Sequence, residues 1–256
     1  MARVGVTGAS GLLGRHLVAS VGGDVVPVEE ADVVFHLAAQ TIVSEAYADP
    51  VATFEANVAL AWRVVGGAGR SVFASTDQVY GPRPPVPATE EAPLAPEGPY
   101  ASSKAAADML VRTLPGCVVA RLANVYGPGD RHATRLVPGV LGAIREGRRP
   151  VVRGDGSARR DLVYVDDAVA ALRLLAERGE EGEAYNVGTG EPHSVLDVVR
   201  TALRVADSDL EPDVLGGTPP GEGGERALDA SKLRALGWEP RVGLEEGLRR
   251  VWEAGA

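Results

Sequence analysis

An α/β fold with a doubly wound parallel sheet is predicted by three observations. Short apolar runs alternate with helix-forming segments from the first residues to about Gly129, a glycine-rich turn follows the first of these runs, and a later run, Ser71 to Ala74, ends in a polar cluster. A chain of 256 residues, 45% of them hydrophobic, can bury one substantial core with a small lobe appended on the C-terminal side.

The first apolar run, Arg3-Val4-Gly5-Val6, reads as a buried strand, and Leu12-Leu13 with Leu17-Val18 as the apolar stripe of the following helix. Between them Gly8, Gly11 and Gly14 are spaced Gly-x-x-Gly-x-x-Gly, not the commoner Gly-x-Gly-x-x-Gly. Glycine allows close backbone approach, and a helix N-terminus offers free N–H groups and partial positive charge. The turn therefore suits the diphosphate of a dinucleotide. Gly22-Gly23 clips the helix, Asp24-Val-Val-Pro-Val28 is expected as a second strand, and Glu29-Glu30-Ala31-Asp32 leads into the strand Val33-Val34-Phe35. An Ala-rich helix is expected near Val51 to Val65.

The strand from Ser71 carries Ser75, Thr76, Asp77 and Gln78 to its carboxyl end, where open α/β sheets bind ligands. Either Ser75 or Thr76 would place a hydroxyl there. The proline-rich stretch from Pro82 to Pro99 reads as a loop over that site. Pro99 then opens a helix running to Leu114, with Tyr100 and Lys104 one turn apart on one face. An ammonium beside a phenol lowers the phenol's pKa towards the working range, making Tyr100 an acid or base for an alcohol or ketone. Beyond Arg131 the chain should pass between two lobes. Leu136 to Glu146 is expected on the outer lobe, Asp161 to Arg178 back on the main body, and Ser194 to Leu215 outside it. The glycine-rich stretch Asp213 to Gly224 is expected to close over a ligand and bring Arg226 in.

Taken in order, Thr7-Gly-Ala-Ser-Gly-Leu-Leu-Gly14, Val34-Phe-His-Leu-Ala-Ala39, Ser75-Thr-Asp-Gln-Val-Tyr-Gly81, Tyr100-x-x-x-Lys104, Arg121-Leu-Ala-Asn-Val-Tyr-Gly-Pro128, Arg160-Asp-Leu-Val-Tyr-Val-Asp-Asp167, Tyr185-Asn-Val-Gly-Thr-Gly190 and Asp229-Ala-Ser-Lys-x-x-x-Leu-Gly-Trp238 resemble the extended short-chain dehydrogenase/reductases. Within them the chain is similar to the NAD-dependent nucleotide-sugar epimerase/dehydratase group. The resemblance implies a Rossmann-type dinucleotide-binding core over residues 1–129, with the Tyr/Lys helix inside it. Residues 130–256 would supply a substrate-binding lobe plus elements returning to the core. Tyr100 would be the catalytic acid/base, Lys104 would hold the nicotinamide ribose and tune Tyr100, and Thr76 would contact the sugar hydroxyl. Gly8, Gly11, Leu12, Leu13, Gly14, Leu37, Ala38, Ala39 and Ser75 would line the cofactor site. His36 would be a packed strand residue, and Asn57 either a scaffold group or a cofactor contact. Asp77, Gln78, Asn124, Arg160 and Arg226 would meet a nucleoside-diphosphate sugar, the arginines as bidentate donors to oxyanions. The resemblance also implies a homodimer through the helices near Val51–Val65 and Tyr100–Leu114.

Two departures qualify this reading. Only residues 15–35 lie between Gly14 and His36, so the family's third strand and its flanking helices are missing. Glu29 stands where an acid would accept hydrogen bonds from the adenosine ribose and repel a 2′-phosphate, which favours NAD while leaving NADP possible. Gln78 occupies a position that is acidic in the 4,6-dehydratases of this resemblance, and an amide cannot act as general acid or base. The expected activity is therefore redox chemistry at a ring carbon, C4, of a nucleotide sugar. A 4-epimerase leads, a 4-keto-sugar ketoreductase is the alternative, and a dehydratase or a non-enzymatic cofactor sensor stands behind both.

Net charge of −9 and a pI near 5.0 argue against a general nucleic-acid or anionic-membrane surface. The single Cys117 excludes an internal disulfide, and the sequence carries no metal-ligand spacing, secretory signal or bilayer-length apolar run. A soluble cytoplasmic protein without a metal is expected.

Overall fold

The computed structural model describes residues 2–22, 25–217 and 224–255. Asp24, expected in the second strand, and residues 218–223 of the expected closing loop lie outside the described residues.

The chain opens with β1 (Val4–Thr7), α1 (Leu12–Val21) and β2 (Val33–His36). Next come α2 (Val43–Ala48), α3 (Pro50–Phe54) and α4 (Leu60–Val65). The helix expected from Val51 to Val65 is thus not uniform: a π turn over Glu55–Ala59 joins α3 to α4, and the Leu60 N–H donates to the Glu55 carbonyl. There follow β3 (Ser71–Thr76), α5 (Gly98–Val111), β4 (Cys117–Leu122) and β5 (Asn124–Tyr126). The second half supplies α6 (Leu136–Arg145), β6 (Val151–Val152), β7 (Arg159–Tyr164), α7 (Val165–Arg178), β8 (Ala184–Val187), β9 (Pro192–Ser194), α8 (Val195–Val205), β10 (Asp213–Val214), β11 (Glu225–Arg226), α9 (Ser231–Ala235) and α10 (Leu244–Glu253).

The main sheet runs β1-β2-β3-β4-β8, all parallel. Alternating side chains cover both faces, as parallel sheets require. From β3 and β4, Val72, Ala74, Val118 and Ala120 pack with Leu17 of α1 and Leu172 of α7. Phe73, Cys117 and Val119 point the other way, onto Val65 of α4 and Ala107 and Val111 of α5.

Of the second strand expected at Asp24–Val28, the described residues 25–28 form no ladder. Val25 makes one parallel bridge to Val4, and Val28–Glu30 is a short 3-10 turn. Pro27 has no N–H to give a ladder, and the short connection to Val33 leaves no length for a longer strand. β7 also departs from expectation. It lies not in the main sheet but in a small one, ordered β11-β7-β5 with β9 antiparallel on β7, while α7 after it returns to the main body. The cause is a strand that changes sheets. Ala123 N–H still donates to Val187 of β8, and the next residue, Asn124, is already paired with Leu162 of β7. A second core, with Val140, Leu141, Leu162, Val198, Leu203 and Leu248 buried in it, fills the space between the small sheet, α6, α8 and α10.

Candidate active site

A cavity of about 1440 Å³ opens at the carboxyl ends of β1, β3 and β4. Single-ligand sites hold about 300–1,000 Å³, so there is room for two ligands side by side. It reaches from the glycine turn and Leu37–Ala39, past Ser75–Gln78, Tyr100 and Lys104, to Asn124, Arg160 and Arg226. The structure thus brings together every residue expected to touch cofactor or substrate except Glu29 and Asn57, neither of which lines the cavity. Glu29 is exposed on the 3-10 turn. Asn57 is buried and braces the scaffold: its Oδ1 accepts from Gln40 N–H at 2.8 Å, and its Nδ2 donates to Ser103 Oγ at 2.9 Å.

The glycine turn fits a dinucleotide diphosphate on steric grounds. Gly8 has φ +71°, and a Cβ there would lie 2.7 Å from Ala38 N. A Cβ on Gly14 would overlap the Gly8 carbonyl oxygen. Gly11 is the N-cap of α1, and no side chain caps the helix, so its first N–H groups have no side-chain competitor. At the end of β3 the buried Ser75 Oγ and Asp77 Oδ2 have no hydrogen-bond partner among the described residues, and both residues line the cavity. Such orphaned groups suit a ligand rich in hydroxyls.

Thr76 both caps and faces the site. Its Oγ1 accepts from Gln78 N–H at 3.3 Å, starting the 3-10 turn Asp77–Tyr80, and donates to Asp77 Oδ1 at 3.2 Å. Burial pushes the Tyr100 phenol up to about 12; the neighbouring Thr76 side chain and the Arg135 charge act downward, and Asp77 upward. Lys104 is brought down to about 7 by burial. Lys104 is not among the groups that act on the Tyr100 phenol here. The Lys104 ammonium donates to the Ala74 carbonyl at 2.5 Å and sits 4.1 Å from the centre of the Phe73 ring. Burial also raises Asp77, opposed by Arg226 and Arg160, so both guanidinium groups act at the reacting end of the cavity. His36 is the packed strand residue expected. It stacks on Phe73, shares a hydrogen bond with Thr7 Oγ1 at 2.9 Å, and is held near 4 by burial.

Sequence reading missed Arg135 and the group that supports α5. Arg135 lines the cavity, held by Asp130 at 3.1 Å and donating to Thr41 Oγ1 at 2.9 Å. Nothing in the loop's pattern singles it out. Beneath Tyr100 and Lys104, the buried Asp108 of α5 accepts two hydrogen bonds from Arg121 of β4, each 3.0 Å, and Arg121 also donates to Tyr80 Oη at 2.9 Å. Asp108 lies one turn beyond Lys104, a spacing that could have flagged it.

A parallel sheet with a glycine turn, a strand-end hydroxyl and a helical Tyr/Lys pair at one cavity defines a short-chain dehydrogenase/reductase. More narrowly, the chain belongs to the NAD-dependent epimerase/dehydratase family, whose model matches residues 23–188. It is 34% identical over 232 residues to the low-salt glycan biosynthesis protein Agl12 of Haloferax volcanii, covering 86% of this chain and 74% of that one. To the mouse dTDP-D-glucose 4,6-dehydratase it is 30% identical over 244 residues, covering 88% and 68%. The Thermus thermophilus UDP-glucose 4-epimerase, solved with NAD, superposes with a TM-score of 0.88 at 30% identity and 98% coverage of both chains. Among the described residues no helix is long and apolar enough to cross a membrane, and no group of three or more His, Cys, Asp or Glu could hold a metal.

Proposed function

We propose that the chain is a nucleotide-sugar 4-epimerase that moves hydride between a bound nicotinamide dinucleotide and C4 of a nucleoside-diphosphate sugar. The observation that carries the reading is the meeting of Thr76, Tyr100 and Lys104 with the glycine turn in one cavity, while Gln78 stands beside Asp77. When bound, NAD supplies the hydride acceptor and donor. Gly8, Gly11 and Gly14 let the backbone approach its diphosphate, and Lys104 stands ready for its ribose. Thr76 orients the substrate hydroxyl, and Tyr100 takes its proton and returns it after the sugar has presented its other face. Asn124, Arg160 and Arg226 hold the substrate's diphosphate and sugar. Elimination of water needs an acid and a base at neighbouring positions, and with Gln78 in place one of the two is absent. This supports ranking the epimerase reading ahead of a dehydratase.

A ketoreductase is the second reading. The single Val4–Val25 bridge and the exposed Glu29 leave a thin adenosine side, which favours a cofactor that exchanges and admits NADP. The two readings part when purified protein is denatured and its nucleotide identified. Near-stoichiometric NAD supports the epimerase, whereas an empty site with NADH or NADPH oxidised by a 4-keto sugar supports the reductase. Release of a 4-keto-6-deoxy sugar from a nucleotide glucose would overturn the argument from Gln78. The chain is further proposed to work as a homodimer, paired through the exposed apolar side chains Phe54, Trp62 and Met109 on α3, α4 and α5.

A further inference from the structure

Three of the residues proposed to hold substrate, Asn124, Arg160 and Arg226, come from three separate strands, and one buried residue touches all three segments, its carbonyl meeting Asn124 and its side chain meeting the chain just after Arg226. Asp161 is 1% exposed and follows Arg160 on β7. Alternation along the strand sends the two side chains to opposite faces, so that Arg160 lines the cavity while Asp161 turns inward. There its Oδ1 accepts from the Thr189 N–H at 2.9 Å and from Thr189 Oγ1 at 2.6 Å. Its Oδ2 accepts from the Gly190 N–H at 3.0 Å and the Leu228 N–H at 3.2 Å. Its carbonyl accepts from Asn124 Nδ2 at 3.3 Å. Gly188 leaves the space for this, since a Cβ there would lie 2.5 Å from Oδ2.

We infer that Asp161 is a positioning residue that sets affinity for the nucleotide half of the substrate, chiefly through Arg226. Arg226 pairs in register with Arg160, but β11 is only two residues long, too short to fix itself. Ala88 bonds the segment on its outer side, through the Ala227 carbonyl and the Asp229 N–H, and the Leu228 N–H bond to Asp161, two residues beyond Arg226, holds it on the β7 side. A charged acceptor makes it strong, and no neutral side chain of the same shape can accept from all four donors. Replacing Asp161 by Asn presents an amide N–H₂ to two of those donors and releases either the 189–190 turn or the Leu228 end. Arg226 then keeps its charge but loses its fixed approach.

The inference rests on the proposed substrate reading, and the test separates the two. Titration calorimetry with UDP, dTDP, GDP, ADP and CDP is run on the wild type, Asp161→Asn, Arg226→Ala and the double variant, using whichever nucleotide the wild type binds most tightly. NADH affinity is followed in parallel by fluorescence. Asp161→Asn is expected to weaken nucleotide binding roughly tenfold or more while NADH affinity changes by less than about twofold. Arg226→Ala should cost less in the Asp161→Asn background than in the wild type, because its target geometry is already lost. A wild type that binds none of these nucleotides, or an Arg226→Ala variant that binds as the wild type does, overturns the substrate reading and this inference with it. If Arg226→Ala weakens binding but Asp161→Asn does not, or lowers NADH affinity in step, or adds in full, the inference alone falls. Should Asp161→Asn fail to fold, Thr189→Val removes a single donor and is expected to weaken the nucleotide about threefold with the same non-additivity; an unchanged affinity overturns the inference.

Discussion

At the residue scale the site is governed by desolvation. Tyr100 and Lys104 are both buried, and burial drives their pKa values apart, the phenol up to about 12 and the ammonium down to about 7. The proposed role of Tyr100 predicts that Tyr100→Phe lowers turnover roughly 10²–10⁴-fold, with nucleotide binding retained in calorimetry. Lys104 also makes a prediction for stability. Below pH 7 it is protonated in both folded and unfolded chains and its burial is fully unfavourable. Between about 7 and the ordinary 10.5 only the unfolded chain keeps the proton, so stability rises with pH. Cys117, raised by burial from 9.0 to about 11, opposes this above pH 9. The melting temperature should therefore climb from pH 7 to 9 in the wild type, and the climb should be reduced in Lys104→Met. The Tyr100–Lys104 pair was legible because its spacing is local. The lysine's true partner, the Ala74 carbonyl, was not, because a backbone group thirty residues away leaves no mark in a pattern.

At the scale of elements, the first turn of α1 depends on graded contact between glycines. A Cβ at Gly11 would sit 3.3 Å from the Gly8 carbonyl oxygen, while at Gly14 it would overlap that same oxygen. Gly14→Ala should force α1 away from β1, destabilising the fold by about 1–3 kcal/mol and lowering NADH affinity, with Gly11→Ala milder in both. Chemical denaturation and fluorescence titration of the two variants check the order. The main strands and helices were readable from apolar periodicity, since β2, β3 and β4 are almost wholly buried. The π turn at Glu55–Ala59 was not readable, because its one extra residue keeps an ordinary helix composition; it is nonetheless where the scaffold residue Asn57 turns inward. The failed strand near Val25 is legible from Pro27 alone.

Across the whole molecule, negative charge prevails while Arg135, Arg160 and Arg226 line the cavity, so that under the proposed reading the local guanidinium groups, not net charge, would draw the nucleotide sugar. The apolar side chains on α3, α4 and α5 flank a groove of about 420 Å³ lined by Phe54, Val58, Trp62 and Leu110. If this is the dimer seam, light scattering will give twice the chain mass, and Trp62→Glu will return it to the monomer value. The small sheet that completes the site could not be anticipated from periodicity, because the exchange of sheets at Ala123–Asn124 occurs with no turn residue between the two strands. That exchange also bears on how the protein can move. A strand that belongs to one sheet at Ala123 and to another at Asn124 leaves no slack between the two halves, and β7 passes into α7 without a connecting residue. At these two junctions no linker is present about which the halves could swivel. Ligands must enter by displacement of loops, and heat should melt both halves together, as one calorimetric peak whose measured enthalpy matches its van't Hoff value.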